Sequence, residues 1–292
     1  NFSGSAGFAL ILKDKNYLFV DGRYTLQAKK QSGKKFDILE IPYIWPKNLF
    51  NKNKKKLNIG FNPNLFTYST LNKYFKNTCK LVPINKNLFN NINIKNKESF
   101  FLLNNTITGE SSKSKIGRMS KYLKKNKINN IFISSGENVC WLLNMRGKDL
   151  PHSPVANCKI IFTQDNKIYF FSPKNKILKI KKKFKNLKIS FHEEKDIFEI
   201  LTNIQNNNFC IDSQTCSVFY EELIKSKFNI ISRNDPIYNF KSIKNKIEIN
   251  NMIKSHIEDG VALTKFLYWI KNNKLKNIDE NKIEIKLENF RK

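Results

Sequence analysis

Arginine is scarce in a chain otherwise crowded with positive charge. Of 53 basic residues only Arg23, Arg118, Arg146, Arg233 and Arg291 are arginines; the rest are lysines, set against 24 acids for a net charge of +29. A surface dedicated to nucleic acid draws on arginine forks and interleaved aromatics. Here lysine accompanies abundant asparagine and isoleucine and is scattered over turns and helix faces, with short clusters at 54–56 and 181–183. Coding bias and solubility explain that composition, so no specific nucleic-acid partner is expected, only salt-sensitive sticking to polyanions. Cysteine is sparse and unpaired in pattern: Cys79, Cys140, Cys158, Cys210 and Cys216 form no C-x-x-C, which excludes a zinc-ribbon or disulfide scaffold and points to free thiols in a reducing compartment. His152, His192 and His256 stand far apart with no H-E-x-x-H, and no G-x-S-x-G is present. Gly4-Ser5-Ala6-Gly7 lacks the Lys-Ser/Thr ending of a phosphate loop. Apolar runs such as Phe8–Leu12 fall far short of a membrane span, no secretory signal is visible, and a cytoplasmic location with no membrane partner is expected. The first residue is asparagine, which leads us to expect that Asn1 is not a natural start.

What is present is the material of about two α/β domains: 292 residues, 40% hydrophobic, 13% aromatic, mean hydropathy −0.50. Phe8–Leu12 and Tyr17–Val20 flank the turn Lys13-Asp14-Lys15-Asn16 and predict a hairpin, with a helix over Tyr24–Gln31. Leu57, Ile59 and Phe61 alternate as a strand, Leu65–Phe75 has helical spacing, and Leu81–Ile84 is again a strand. Asn85–Asn96 is polar enough to be a linker. The alternation then repeats: a strand at Phe100–Leu103, a helix capped by Ser111 or Ser112 to about Asn126, and a strand at Ile128–Ser134. A helical turn at Asn138–Asn144 and a hairpin of Lys159–Phe162 with Ile168–Phe171 follow. Helices over Ile197–Ile204 and Val218–Lys225 flank a strand at Phe209–Ile211. From Ile243 onward, Ile247, Met252, Ile253, Ile257, Val261, Phe266, Leu267 and Ile270 keep helical spacing for nearly thirty residues.

Three blocks resemble one family. Ser3-Gly4-Ser5-Ala6-Gly7 through Val20-Asp21-Gly22-Arg23-Tyr24-Thr25-Leu26-Gln27-Ala28 is similar to the amino-terminal domain of Xaa-Pro aminopeptidases (aminopeptidase P). Glu137 to Asp149, holding Asn144-Met145-Arg146-Gly147-Lys148-Asp149 and followed by Pro154-Val155, resembles that family's second-domain motif; Ser153 stands where the family usually has asparagine. Lys244-Asn245, Glu248, Met252, His256-Ile257, Asp259-Gly260-Val261-Ala262-Leu263 and Trp269 resemble the first helix of its catalytic domain.

The resemblance implies an α/β chain: two tandem creatinase-type domains, each a mixed sheet with flanking helices, then the start of a truncated pita-bread domain. The expected boundaries are 1–90 (itself missing its first half), 97–236 and 240–292. It implies that the parent is a metallo-aminopeptidase releasing the residue before proline, using two divalent cations, usually Mn²⁺, held by two Asp, one His and two Glu that lie downstream of this chain. Two such cations generate hydroxide and polarise a scissile carbonyl. This portion is then inactive alone, with no catalytic or metal-binding residue, and serves to gate substrate and support a homodimer. Arg23 is the candidate to contact a peptide substrate, with a salt bridge to Asp21 as the competing role. Arg146 and Asp149 are further substrate-binding candidates, against a purely local arginine–aspartate pair. Trp141 and Trp269 read as core aromatics. His256 is placed on the polar side of the last helix beside Asp259, and that helix is expected to leave an apolar stripe exposed. The alternatives are a non-catalytic creatinase-like binding module, a class that includes a histone-chaperone subunit, and, weakly, a polyanion binder.

Overall fold

The computed structural model describes residues 2–50, 57–85, 98–150, 152–205, 208–273 and 279–292. In chain order it holds β1 (Phe8–Ile11), β2 (Asn16–Asp21), α1 (Thr25–Ser32), β3 (Asp37–Ile41), α2 (Pro46–Phe50), β4 (Asn58–Phe61), α3 (Tyr68–Phe75) and β5 (Lys80–Pro83). Next come β6 (Phe101–Leu102), α4 (Asn105–Thr108), α5 (Ser112–Lys125), β7 (Asn130–Ile133), α6 (Gly136–Leu142), β8 (Met145–Arg146), β9 (Lys159–Thr163) and β10 (Ile168–Phe171). The remainder is α7 (Lys174–Lys181), β11 (Ile189–His192), α8 (Ile197–Asn203), β12 (Asn208–Ile211), α9 (Val218–Lys225), β13 (Asn229–Ser232), α10 (Pro236–Ser242), α11 (Lys246–Asn272) and α12 (Glu280–Arg291). Two compact units emerge: Asn1–Lys95 with Ile211–Asn234, and Asn96–Cys210 with Asp235–Lys292. The architecture is the mixed α/β one expected from the alternation of strand and helix patterns.

In the first unit β1 and β2 form the expected hairpin, Phe8 opposite Phe19, closed by Leu12 N–H donating to the Lys15 carbonyl at 3.1 Å. After α1 the chain returns as β3, parallel to β2. β4, α3 and β5 repeat that crossover as a separate parallel pair. Thr67 caps α3 by accepting from Thr70 N–H. The core gathers Leu10, Phe19, Phe50, Leu71 and Phe75, with Phe8 edge-on to Tyr74 at 4.8 Å between ring centres. α9 belongs here: Val218 N–H donates to the Phe66 carbonyl and Tyr68 Oη to Glu222.

Five strands of the second unit lie in the order β11-β10-β9-β7-β12. β7, β9 and β10 are antiparallel neighbours and β11 is parallel to β10. Strands covered on both faces read as near-continuous apolar runs, and Ile131, Phe132, Phe162, Phe170 and Phe171 are all sealed from solvent. Ser111, rather than Ser112, caps α5 through Ser114 N–H. Asn245 and Glu248 close a capping box on α11, whose 27 residues match the predicted length.

Several expectations need correction. The long helix is not the last: α12 follows, and Arg291 Nε donates to Asp259 Oδ1 at 2.7 Å. His256 is not on a polar face. The helical spacing of Ile249, Met252, Ile253 and His256 sets them on one side, where with Ile257 they form a shallow apolar groove. Trp141 and Trp269 are half-buried instead of core: a lysine sits over each ring, Lys115 at 4.0 Å and Lys286 at 5.4 Å. The predicted linker Asn85–Asn96 lies, beyond Asn85, outside the described residues. All five cysteines are buried free thiols.

Candidate substrate-facing residues

The backbone leaving β2 turns sharply because Asp21 accepts from Arg23 N–H at 3.0 Å, an Asx turn that opens a short 3-10 segment over Gly22–Tyr24. The same carboxylate grips the guanidinium at both ends: Nε reaches Oδ1 at 3.0 Å and Nη2 reaches Oδ2 at 2.7 Å. That bidentate bond holds the Asp21 carboxyl below the ordinary carboxylate range and raises the guanidinium. The Arg23 side chain is nevertheless 73% exposed, lying 5.2 Å over the Tyr24 ring. It therefore has the salt bridge that competed with a substrate role, and also an open flank. Around it the first motif is tied together internally. Gln31 accepts from Ser3 N–H at 2.8 Å, Gln27 and Gln31 donate to Ser3 Oγ, and the Ser5 and Tyr24 hydroxyls bond to one another.

Arg146 and Asp149 share one loop of the second unit but do not pair with each other. Arg146 Nη1 donates to the Met145 carbonyl at 2.8 Å and the Cys140 carbonyl at 3.3 Å, fastening β8 to the end of α6. Asp149 instead accepts from Lys176 Nζ at 2.6 Å and from Asn157 N–H at 2.8 Å, in a pair whose side chains are only 11% and 8% exposed. The expected local arginine–aspartate pair is thus replaced by two different clasps. A buried carboxylate takes the nearest desolvated cation, and α7 delivers Lys176. Between them Gly147 runs so close to the neighbouring chain that a Cβ would lie 2.8 Å from Ala156 Cα and 3.0 Å from the Phe100 ring.

Two lysines that composition made look like solvated charge belong to this loop's support. Lys176 is one. Lys115 is the other: 2% exposed, it donates to Asn144 Oδ1 at 2.7 Å and the Trp141 carbonyl at 3.0 Å. Burial pushes its pKa down to about 8, against the opposing pull of Glu248 and Glu110. Asn144, in a left-handed conformation, passes the brace on by donating to the Glu110 carbonyl. The signal for Lys115 was its place on the stripe Lys115, Met119, Leu123, where every neighbour is buried. Among the described residues no three His, Cys, Asp or Glu side chains gather where they could hold a metal ion. No described helix is long and apolar enough to cross a membrane.

Comparison with known proteins places these motifs. Two models of the Creatinase/Prolidase N-terminal domain match, one at residues 1–90 and one at residues 91–248. A probable Xaa-Pro aminopeptidase P of Laccaria bicolor is 30% identical over 99% of the chain and 48% of its own length. Xaa-Pro aminopeptidase 1 of Dictyostelium discoideum is 29% identical over 100% of the chain and 50% of its own. The chain spans about half the length of the curated relatives it matches. Among solved structures, an X-prolyl aminopeptidase from Caenorhabditis elegans, described as a cytosolic enzyme with a di-nuclear active site, superposes with a TM-score of 0.85. It covers 99% of this chain and 50% of its own at 23% identity, and shares the fold.

Proposed function

The chain belongs to the creatinase/prolidase N-terminal domain family, and from that premise we propose that it is the non-catalytic amino-terminal part of an Xaa-Pro metallo-aminopeptidase. The observation that carries the reading is coverage: nearly every residue here aligns with about half of an Xaa-Pro aminopeptidase. In this reading residues 1–90 and 97–236 are the two creatinase-type domains, and 240–292 begins the catalytic domain. The parent is a cytoplasmic homodimer that hydrolyses peptides with proline in second place, and this portion gates their entry. Two divalent cations, manganese in the family's usual form, would supply the hydroxide and polarise the carbonyl. The described residues do not fit such a pair, because no three candidate ligands meet; the metal site is assigned to sequence outside this chain.

Within that frame Arg23 contacts the peptide. Asp21 fixes the guanidinium plane by two bonds and leaves its outer N–H groups exposed for a peptide carbonyl or carboxylate. Arg146 and Asp149 act on substrate through the loop they clamp. The exposed apolar face of α11, with Met252 47%, Ile253 55% and Ile257 64% accessible, is a surface for the catalytic domain to cover.

The first measurement is the intact mass of the native polypeptide, followed by hydrolysis of an Xaa-Pro peptide with added Mn²⁺ by that polypeptide and by residues 1–292. Turnover by the complete protein alone is expected. A native mass of 34.3 kDa, or a complete protein that leaves Xaa-Pro peptides intact, would overturn the proposal in favour of a binding module.

A further inference from the structure

Two buried thiols of the second unit stand at the two ends of the motif loop. Cys140 lies on α6, which packs on β9, and Cys158 immediately precedes β9. Both clasp the same residue. Ala156 N–H donates to Cys140 Sγ at 3.3 Å, and the Cys158 thiol donates to the Ala156 carbonyl at 3.6 Å. The two sulfurs are also hydrogen-bonding neighbours of one another. Their spacing along the chain is nothing like C-x-x-C, so only the fold makes them a pair.

Their surroundings hold them in place. A Cβ at Gly136 would lie 2.3 Å from the Ala156 carbonyl oxygen, and one at Gly147 would lie 2.8 Å from Ala156 Cα, so the backbone between the sulfurs has no room to slip. Arg146 Nη1 donates to the Cys140 carbonyl at 3.3 Å. The two thiols differ in character. The hydrogen bond with Cys158, then the Ala156 N–H and the Arg146 charge, hold the Cys140 thiol below its ordinary range, whereas burial pushes Cys158 well above it. Cys79 and Cys216 are pushed up by burial. One sulfur with thiolate character beside one that keeps its proton is the division found in an attacking and a resolving cysteine.

We propose that Cys140 and Cys158 are an oxidation site, a dithiol that hydrogen peroxide converts into a reversible disulfide closing residues 140–158 into a ring around the motif loop. The Cys140 sulfur attacks one peroxide oxygen, the O–O bond breaks, and the thiol proton leaves with the other oxygen as water. The Cys158 sulfur then attacks the resulting sulfenic acid; the S–O bond breaks and the second thiol proton leaves with that hydroxyl as a second water. Two electrons pass from the thiols to the peroxide, and a dithiol reductant returns them. The sulfurs are 2% and 1% exposed, which shuts out bulky disulfide oxidants and selects one little larger than water. The ring contains Arg146, Gly147 and Asp149, so the bond stiffens the loop they occupy. The inference is independent of the peptidase reading, because thiol state is read on this chain itself.

The test treats residues 1–292 with hydrogen peroxide, unfolds them in an alkylating agent, and weighs the tryptic peptides. Trypsin cuts after Lys127, Arg146, Lys148 and Lys159, which puts the two sulfurs on separate peptides, 128–146 and 149–159. The expected product is those two peptides joined, with Cys79, Cys210 and Cys216 still alkylated and all five thiols recovered after dithiothreitol. Cys158→Ser should stop at a Cys140 sulfenic acid that dimedone captures, and Cys140→Ser should leave Cys158 open to alkylation. Amides of residues 144–149 should exchange at least about tenfold more slowly in the oxidised protein. Five alkylated thiols at a peroxide dose that oxidises free cysteine in the same solution would overturn the proposal. So would a bond from either cysteine to Cys210, or a Cys140 sulfinic acid beside an unreacted Cys158. Unchanged exchange in the disulfide form would overturn the stiffening of the loop. The wild-type chain carries the decisive readout, so a serine variant that fails to fold leaves the test intact.

Discussion

Replacing Lys115 with methionine tests the account of the motif loop most directly. The side chain is buried with its ammonium between Asn144 Oδ1, the Trp141 carbonyl and the Trp141 ring. Its pKa is about 8 in the folded protein against an ordinary 10.5. Below pH 8 the ammonium is charged in both folded and unfolded states, and the cost of burying it is carried in full. Between pH 8 and 10.5 the folded form has released the proton while the unfolded form keeps it, so stability rises with pH across that window. The shift corresponds to at most about 3 kcal/mol, and nearer about 2 kcal/mol with the screening typical of protein surroundings. The methionine of the variant has no proton to release. The difference in unfolding free energy between wild type and Lys115→Met should therefore move by about 2 kcal/mol in favour of wild type from pH 7 to pH 10. The assay is urea unfolding followed by Trp141 fluorescence, with Trp45 and Trp269 replaced by phenylalanine in both proteins so that the signal reports this unit alone. Comparing the two proteins cancels the titration of the many other lysines and tyrosines. Parallel pH profiles would refute the reasoning and return Lys115 to the status of an ordinary surface amine.

Three further outcomes are expected. Gly147→Ala should lower stability by about 1–3 kcal/mol in the same assay, because the new methyl meets Ala156 backbone and Phe100 at 3.0 Å or less. Asp149→Asn and Lys176→Met should each cost about 3–5 kcal/mol, and the double variant less than their sum, since each single change strands a buried charge; a double-mutant cycle reads the coupling. Arg23→Ala, an exposed change, should leave the melting temperature within about a degree yet lower kcat/KM of the complete protein on an Xaa-Pro peptide by about tenfold, with Asp21→Asn giving a smaller loss; unchanged kinetics would make Arg23 purely a turn-former.

The strong periodicities were legible. The β1–β2 and β9–β10 hairpins carry compact apolar runs around Asp and Asn turns, and α11 carries its apolar residues over many turns, so each element outweighs its neighbours' noise. What stayed hidden was written in lysine and asparagine. α7 reads Lys-Asn-Lys-Ile-Leu-Lys-Ile-Lys, a segment that looks like solvated charge, yet its Lys176, Ile177 and Ile180 are buried. α12 and β3 mix charge and apolar residues too evenly for a clear period. Site residues follow the same division. Arg23 stands out only through the resemblance of its motif, the turn beneath it being made by Asp21, and Gly147 sits in the second such motif, where a close backbone approach demands glycine. Lys176 is indistinguishable in composition from the lysines around it, and only the three-dimensional path of α7 buries it; Lys115 is marked by nothing but its helical register with Met119 and Leu123. His256 was misplaced because Asp259, one turn after it, suggested a polar face, whereas Met252 and Ile253, one turn before it, share the apolar groove with it.

The buried thiols give the molecule an internal reporter. Cys79 and Cys216 sit in the first unit and Cys140, Cys158 and Cys210 in the second, each shielded from solvent-borne alkylating agents and, for Cys216 and Cys158, held far from the reactive thiolate by burial. Pulsed labelling followed by mass spectrometry therefore distinguishes which unit opens: two adducts mark the first, three the second, five the whole. The sequence has already distributed the probes, so the cooperativity of the two units can be measured on the unmodified protein.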